Sequence, residues 1–441
     1  MEFRKYLRQG IWGLADKALP VVYGIGYVLL VIRVLPEEEF GLFVLVQEIF
    51  LIISGLATAF ALQPLLKFGS EDRTEQAGLQ TSAGVLHALF LLITSIAIVA
   101  LRNPVSSALQ APGLAPLLVY VPAMLAASFI RNTSLTLLQS RFLIQQVFWV
   151  DSVHFLGVPF FVWVVSRLHL FDSALDLILI NVVTLSASSL LGLFLSRRLI
   201  SLTLALRWSD WQRLISYGLY SLGGMASYFT STKADTFVLS AFFGPVQVAL
   251  YNAAKVFTRI FDMATQVIQM LVLPASSRLS SRGDDPSLKD LVEKSLLFAT
   301  LGMVPVCAVM LAAPEPLLAL IYGGRYADAA TLLRIISPMA LVVPVLAIGS
   351  SVLMGLGEAR AGFVLSVQTL FVSLAAYYLL VPSWGTVGAA WGFVLAAFIM
   401  TAITVVFLRR FVTVTARGIL GRMRDISAFV RQQAEFLRGK V

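Results

Sequence analysis

The sequence predicts an all-α integral membrane protein of about twelve transmembrane helices. Of its 441 residues, 58% are hydrophobic and only 13% are charged, whereas a soluble protein of this size needs more charge to cover its surface. Apolar stretches long enough to cross ~30 Å of hydrocarbon recur along the whole chain. Their side chains do not alternate in polarity as those of a membrane β-barrel would, so helices are the predicted spanning elements.

The apolar stretches define twelve spans, numbered in chain order. Their predicted ranges are 10–33, 42–62, 81–101, 114–138, 148–168, 174–195, 214–243, 247–273, 294–313, 330–355, 361–381 and 386–408. The first span is too long and too weakly flanked for a cleaved signal peptide, so we expect the protein to retain it.

The arginines and lysines near the ends of the spans predict which ends face the cytoplasm. One side carries most of them, and the opposite side carries only Arg33, Arg102, Arg167 and Arg325. The basic side comprises eight residues of the tail and Arg4, Lys5, Arg8, Lys67, Arg73, Arg131, Arg141, Arg197, Arg198, Arg207, Arg213, Arg278, Arg282, Lys289, Lys294 and Arg360. Since basic residues favour the cytoplasmic side, both termini are predicted to lie there. The net charge of +9 therefore indicates topology and contact with anionic lipids, not nucleic-acid binding.

A basic stretch at Ser196–Arg213 divides the spans into two sets of six. The predicted domains are an N-terminal six-helix bundle at 1–200, a C-terminal six-helix bundle at 201–408 and a basic amphipathic cytoplasmic tail at 409–441. The segment 33–43 aligns with 241–251, because each ends an outward-running helix and begins an inward-running one. Six spans per half make the two repeats parallel, and a binding site is expected between them.

The tail has apolar residues that recur near helical spacing among basic ones. They are Ile419, Met423, Ile426, Val430 and Leu437. This pattern predicts an amphipathic helix on the cytoplasmic leaflet, which we expect to be dispensable for folding. The alternative is a solvated basic tail.

Four segments, in the same order along the chain, resemble the polysaccharide-transporter flippases. They are LPEEEFGLF at 35–43, ADTFVL at 234–239 with the later LYNAA at 250–254, EPLLALIYG at 315–323 and WGTVGAA at 384–390. That family belongs to the multidrug/oligosaccharidyl-lipid/polysaccharide exporter superfamily. The resemblance implies two six-helix bundles that form a V and open alternately to each side of the membrane.

The resemblance also implies what the protein carries and where it works. The expected substrate is an undecaprenyl-pyrophosphate-linked oligosaccharide, a surface polysaccharide or O-antigen repeat unit, moved to the outer leaflet of a bacterial inner membrane. Membrane lipids, a coupling ion (H⁺ or Na⁺) and polysaccharide assembly proteins are the expected partners. From this resemblance we expect no cofactor, no metal and no catalytic residue.

The eighth span carries six polar residues at spacings of 3, 4, 3, 4 and 3. They are Asn252, Lys255, Arg259, Asp262, Gln266 and Gln269. That period places all six on one face of a helix. A charge at the bilayer centre costs at least ~2.5–3.5 kcal/mol, so such residues face protein or water. One interpretation is a hydrated cavity whose cations, with Lys17 and Lys233, bind a pyrophosphate. The other is an internal ion pair between Arg259 and Asp262.

Two carboxylates in other spans are candidates for ion coupling or charge pairing. Asp16 shares a helix face with Tyr23 and Tyr27, and a carboxylate in low dielectric binds protons more readily. The alternative is that Asp16 pairs with a neighbouring helix while Lys17 extends to the interface. Asp235, close to Lys233, allows both interpretations, as does Asp262.

Polar residues elsewhere in the spans are expected to be structural, without a role in binding or ion coupling. Glu48 and Arg334 are expected near the membrane edges, where water solvates them. His87 and His154, each alone among apolar residues, are expected to be buried structural residues.

Two other functions compete with the flippase interpretation. An ion-coupled multidrug antiporter of the same superfamily would favour an acidic or aromatic cavity, whereas the stripe in the eighth span is net basic. A membrane-embedded polysaccharide polymerase or ligase would need a large external loop, and the predicted outer connections are short. The sequence contains no phosphate-binding loop typical of ATPases, so ATP hydrolysis by this chain is not expected to drive transport.

Overall fold

The computed structural model describes residues 35–68, 76–168, 171–203 and 207–423. It also describes 12–13, 15–20, 23–24 and 31 of the first span. Every regular element in these parts of the chain is a helix, which confirms the predicted fold class.

The helices follow the predicted spans with small shifts of their ends. The second to sixth spans are Glu37–Phe68, Gln76–Ala100, Val121–Ser140, Ile144–Arg167 and Ala174–Ser196. The seventh begins at Trp208 and continues through Lys255 into the eighth, which ends with Arg259–Ser281. The ninth is Asp285–Ala312, the tenth Met339–Gly355, and the eleventh and twelfth share Ala359–Leu408. Short helices at Arg102–Ala108 and Pro314–Tyr322 lie in the connections, whereas Leu114–Leu118 and Ala329–Ile336 form the first parts of the fourth and tenth spans.

The helix Trp208–Lys255 is a hairpin of two spans. Gly244 interrupts it with φ 76° and ψ −176°, a conformation that favours glycine, and Pro245 follows. Lys255 Nζ donates to the Thr232 carbonyl at 3.0 Å. A straight helix would hold residues this far apart by ~35 Å, so the chain reverses at Gly244.

The helix Ala359–Leu408 reverses in the same way. Gly385 has φ 56°, and Gly388 lies against the Leu380 carbonyl. Eight helices of the described residues are long and apolar enough to cross a membrane, or nine with the bent pair at Ala329–Gly355. Two of these nine elements are hairpins that contain two spans each, so the nine elements comprise eleven spans. With the described pieces of the first span, the total is about twelve.

The second span and the seventh–eighth hairpin bring the two halves together. Gly41 packs against the Pro245 carbonyl, Gly55 against the Phe229 ring, and Gly218 against the Phe60 carbonyl. The largest cluster of buried apolar side chains extends across both halves. The bundles predicted at 1–200 and 201–408 are therefore in contact along the length of the second span.

One face of the molecule holds a seal between the halves. We call it the outer face, following the orientation predicted from the basic residues, and the seal comprises Gly41, Leu109, Gln110, Ser240, Gly244 and Pro245. Ser240 Oγ donates to the Leu109 carbonyl at 2.7 Å, and Gly244 lies beside the Gln110 carbonyl. Ser240 is completely buried. We refer to this contact as the outer seal.

The beginning of the tail packs against the C-terminal half, which the sequence did not predict. Val412 and Val414 are buried in a cluster with Val272 and Val292. Arg422 forms ion pairs with Asp290 at 2.8 Å and Glu293 at 3.1 Å. The segment 409–423 therefore continues the folded domain. The predicted amphipathic helix beyond Met423 lies outside the described residues.

Truncation can separate these two parts of the tail. A chain that ends after Phe411 loses Val412, Val414 and Arg422, and each buried valine is worth ~1.5–3 kcal/mol. We expect this chain to show a lower melting temperature in detergent than the full-length protein. A chain that ends after Met423 should melt like the full-length protein, and equal melting temperatures for both truncations would contradict the packing described.

Candidate functional site

Asp235 lies at the centre of a closed polar network inside the C-terminal half. Its Oδ2 accepts from Lys255 Nζ at 2.5 Å and from the Tyr251 hydroxyl at 2.6 Å, while Oδ1 accepts from the Thr236 amide at 2.7 Å. The Asp235 side chain is fully buried and that of Lys255 is 13% exposed. Both carboxylate oxygens thus have partners, as a buried charge requires.

Lys255 is consequently held by its own half of the protein. Its ammonium group also lies 5.3 Å from the centre of the Phe393 ring. The sequence placed Lys255 in a substrate cavity, but in this structure it neutralises Asp235.

Lys233 forms a second ion pair, which joins the two halves. Its Nζ lies 2.8 Å from Oε1 of Glu48 on the second span. Glu48 is eleven residues beyond the first residue of that helix, which is a depth of ~16 Å. Its side chain is only 12% exposed. The expectation that water solvates Glu48 was wrong, whereas Arg334 is exposed and pairs with Glu315.

Arg259 reaches across to the first span. Its Nη1 donates to the Pro20 carbonyl at 3.4 Å, and its side chain packs against Gly24. It also interacts electrostatically with Tyr23. Arg259 therefore lies at the boundary between the halves, as does Lys233.

The remaining residues of the predicted stripe differ in their surroundings. Asn252 donates to the Val248 carbonyl of its own helix. Asp262 and Gln269 are exposed. The structure does not describe the side chain of Gln266. A 3₁₀ segment at Val256–Thr258 separates Lys255 from Arg259. Lys255 and Arg259, on either side of this segment, contact different partners: Lys255 contacts the seventh span and Arg259 the first.

Six charged side chains lie on spans at or beside the boundary between the halves. They are Glu48, Lys233, Asp235, Lys255, Arg259 and Asp262. Asp262 interacts electrostatically with all three cations, although no ion pair within 4 Å joins it to Arg259 among the described residues. Tyr228 interacts with Asp262, Lys233 and Glu48. We call these six residues the charged layer, and its described members comprise three cations and three carboxylates.

The N-terminal half contains a separate charged cluster, much of which the sequence analysis missed. Arg131 forms an ion pair with Asp151 of the fifth span, and its Nε donates to Ser188 Oγ at 3.1 Å. The buried carboxyl of Asp16 lies near the Arg131–Asp151 pair, and its Oδ1 has no hydrogen-bond partner among the described residues. Lys17, next to Asp16 in the chain, is exposed. The two interpretations of Asp16, ion coupling and pairing with a neighbouring helix, both remain predictions.

The distribution of arginines and lysines along the chain predicted that Arg131 lies on the cytoplasmic side. Its position ten residues into the fourth span, together with Asp151 seven residues into the fifth, was the signal that could have identified the pair. The two histidines are buried, as predicted. His154 Nδ1 lies 3.1 Å from Thr184 Oγ1, and His87 Nδ1 lies 3.5 Å from Thr133 Oγ1.

The fold and the intramembrane charges can now be compared with known proteins. Residues 30–331 match the family model described as polysaccharide biosynthesis protein. The chain belongs to this family. An uncharacterized membrane protein of Methanocaldococcus jannaschii is 28% identical over 45% of this chain and 39% of its own length. A probable low-salt glycan biosynthesis flippase of Haloferax volcanii is 22% identical over 46% of this chain. This chain spans about two fifths of the length of each of these relatives.

Two solved structures share the fold over nearly the whole chain. The lipid II flippase in an inward closed conformation has a TM-score of 0.72 at 12% identity, covering 94% of this chain and 89% of that one. A multidrug resistance MATE family transporter in an inward-facing conformation has a TM-score of 0.71 at 16% identity, covering 91% and 94%. At these identities the likeness shows the shared fold, and the family match agrees with the predicted resemblance to polysaccharide transporters.

The Asp235 network predicts a strong and specific effect on stability. Asp235→Asn leaves the Lys255 charge buried without its counter-ion, and breaking a buried pair from one side costs about 3–5 kcal/mol. We expect a clearly lower melting temperature in detergent, partly recovered by adding Lys255→Met. The matched control is Glu315→Gln, which breaks the exposed pair with Arg334 and should cost no more than ~1 kcal/mol. An equal fall in melting temperature for Asp235→Asn and Glu315→Gln would contradict the assignment of Asp235 to a buried ion pair.

Proposed function

We propose that the protein is a flippase for a lipid-linked oligosaccharide whose headgroup carries a pyrophosphate, such as an undecaprenyl-pyrophosphate-linked surface glycan. The observation that supports this most is the placement of Arg259 and Lys233 at the boundary between the halves, in the middle of the membrane-spanning region. A pyrophosphate cannot enter a low-dielectric space without cationic partners, and these two cations can offset its desolvation.

Arg259 is proposed as the principal ligand of the phosphate. Its planar guanidinium group can donate two parallel hydrogen bonds to phosphate oxygens, and its only described hydrogen bond is a long one to a carbonyl. Lys255, by contrast, is held by Asp235 at 2.5 Å, so we assign it a supporting role. Asn252, Lys17, Gln266 and Gln269 remain candidate contacts for the sugar or the phosphate.

The comparisons support a flippase without identifying its cargo. The family is described as polysaccharide biosynthesis, and one curated relative carries the name of a glycan biosynthesis flippase. The fold match to a multidrug transporter is compatible with the antiporter alternative. Arginine at the boundary favours an anionic cargo over the organic cations of such an antiporter. We further propose that the protein is a transporter, not an enzyme, in the plasma membrane with both termini in the cytoplasm.

Replacement of Arg259 tests the cargo. In cells that lack the native gene, Arg259→Gln should reduce glycan export roughly 10- to 100-fold, the equivalent of a charge-assisted hydrogen bond worth ~1.5–3 kcal/mol. Arg259→Lys should retain part of the export, because a point charge still attracts phosphate. Arg334→Gln removes an exposed arginine of the same half and serves as the matched control. Normal export by Arg259→Gln at wild-type expression would refute the cationic site.

Asp16 is the better of the predicted candidates for coupling to an ion. Asp235 is fully engaged in its network, whereas the buried Oδ1 of Asp16 receives no hydrogen bond from the described residues, and Asp151 nearby is paired with Arg131. A buried carboxyl oxygen without a donor can accept a coupling ion, because that ion supplies the missing partner. We therefore propose that protons drive transport through Asp16 and Asp151.

Proteoliposomes test the coupling. With the wild-type protein, an imposed pH gradient should accelerate transport of the lipid-linked oligosaccharide several-fold. Asp16→Asn preserves the shape of the side chain but not its proton exchange, so transport should no longer respond to the gradient. Glu38→Gln, an exposed carboxyl at the outer face, is the control and should respond normally. Acceleration of the wild type by a Na⁺ gradient alone would contradict proton coupling.

A further inference from the structure

The charged layer is balanced before any cargo arrives. Its three cations, Lys233, Lys255 and Arg259, face three carboxylates, Glu48, Asp235 and Asp262. An anionic headgroup that entered this layer would add negative charge in a low-dielectric space. One of the carboxylates therefore has to move away or become neutral when the cargo binds.

Glu48 is the carboxylate that can leave. Asp235 has partners on both oxygens and lies wholly within the C-terminal half. Asp262 is already exposed and lies on the same half as the three cations. Glu48 accepts from Lys233 through Oε1, but its buried Oε2 receives no hydrogen bond from the part of the chain that the structure describes. A carboxylate satisfied on one oxygen only is held less firmly than Asp235.

Lys233 is oriented to exchange one anion for another. Two residues along a helix differ by ~200° in direction, so Lys233 points to the N-terminal half while Asp235 points into its own bundle. The Lys233 side chain is 24% exposed, compared with 13% for Lys255. The Tyr228 side chain is largely exposed and interacts electrostatically with both Lys233 and Glu48.

We propose that the Glu48 carboxylate stands in for the cargo phosphate. It occupies Lys233 while the site is empty, and the resulting ion pair helps to hold the halves together at the outer seal. A phosphate that binds Lys233 displaces Glu48, and because Glu48 belongs to the other half, its release allows the halves to separate. This inference rests on the proposed anionic cargo and adds the step by which the cargo opens the protein.

A single cysteine at the outer seal reports on this step. Ser240 is completely buried beneath the Leu109 carbonyl, so Ser240→Cys in a Cys307→Ser background should react slowly with a maleimide in lipid nanodiscs. Adding Glu48→Gln should accelerate the reaction about tenfold. The exchanged pair, Glu48→Lys with Lys233→Glu, should restore the slow rate. Ser351→Cys, buried in the tenth span, should stay unreactive throughout and so show that no variant is unfolded.

The same reporter tests displacement by the cargo headgroup. Undecaprenyl diphosphate added to the nanodiscs should accelerate labelling of the wild-type reporter several-fold, whereas undecaprenol, which lacks the phosphates, should not. The diphosphate should add nothing to the rate already reached by Glu48→Gln. Slow labelling of Glu48→Gln, or no response of the wild type to the diphosphate, would overturn the proposal. Normal export by Arg259→Gln combined with these labelling changes would refute the role of Arg259 and leave the Glu48 step intact.

Discussion

Charged side chains inside a membrane protein need partners, because hydrocarbon offers neither water nor counter-ions. In this protein several spans carry such side chains, and the tertiary arrangement pairs many of them. Asp235 with Lys255 fastens the seventh span to the eighth, and Glu48 with Lys233 fastens one half to the other. Arg131 with Asp151 performs the same task inside the N-terminal half. The pairs thus determine which helices lie next to each other.

The ion pairs differ in how many of their carboxylate oxygens have hydrogen-bond partners, and this difference bears on function. Within a half, the carboxylate oxygens of Asp235 are fully bonded and its network is closed. Between the halves, Glu48 has one bonded oxygen and Arg259 reaches only a carbonyl at 3.4 Å. A transporter that rocks one half against the other needs firm contacts within each half and exchangeable contacts between them. The distribution of strong and weak pairing in this structure matches that requirement.

The hairpin at Gly244 connects the charged layer to the outer seal. The seventh and eighth spans meet at this turn, which lies beside the Gln110 carbonyl, and Ser240 one turn earlier bonds to Leu109. Lys233 and Lys255 are each eleven residues from Gly244 on the two arms of the hairpin. A change of anion at Lys233 therefore acts on the same rigid element that closes the outer face.

The sequence by itself determined the fold class, the approximate ends of the spans and the family. Hydrocarbon thickness sets the length of an apolar helix. A histidine such as His87 is unfavourable beside lipid, so it is buried inside the protein. The sequence also located the polar residues of the eighth span, but it did not identify their partners. The 3₁₀ segment at Val256–Thr258 and the choice of partners, such as Glu48 for Lys233, were decided by tertiary packing. Pairing between spans far apart in the chain depends on which helices become neighbours, and the local spacing of residues carries no record of that.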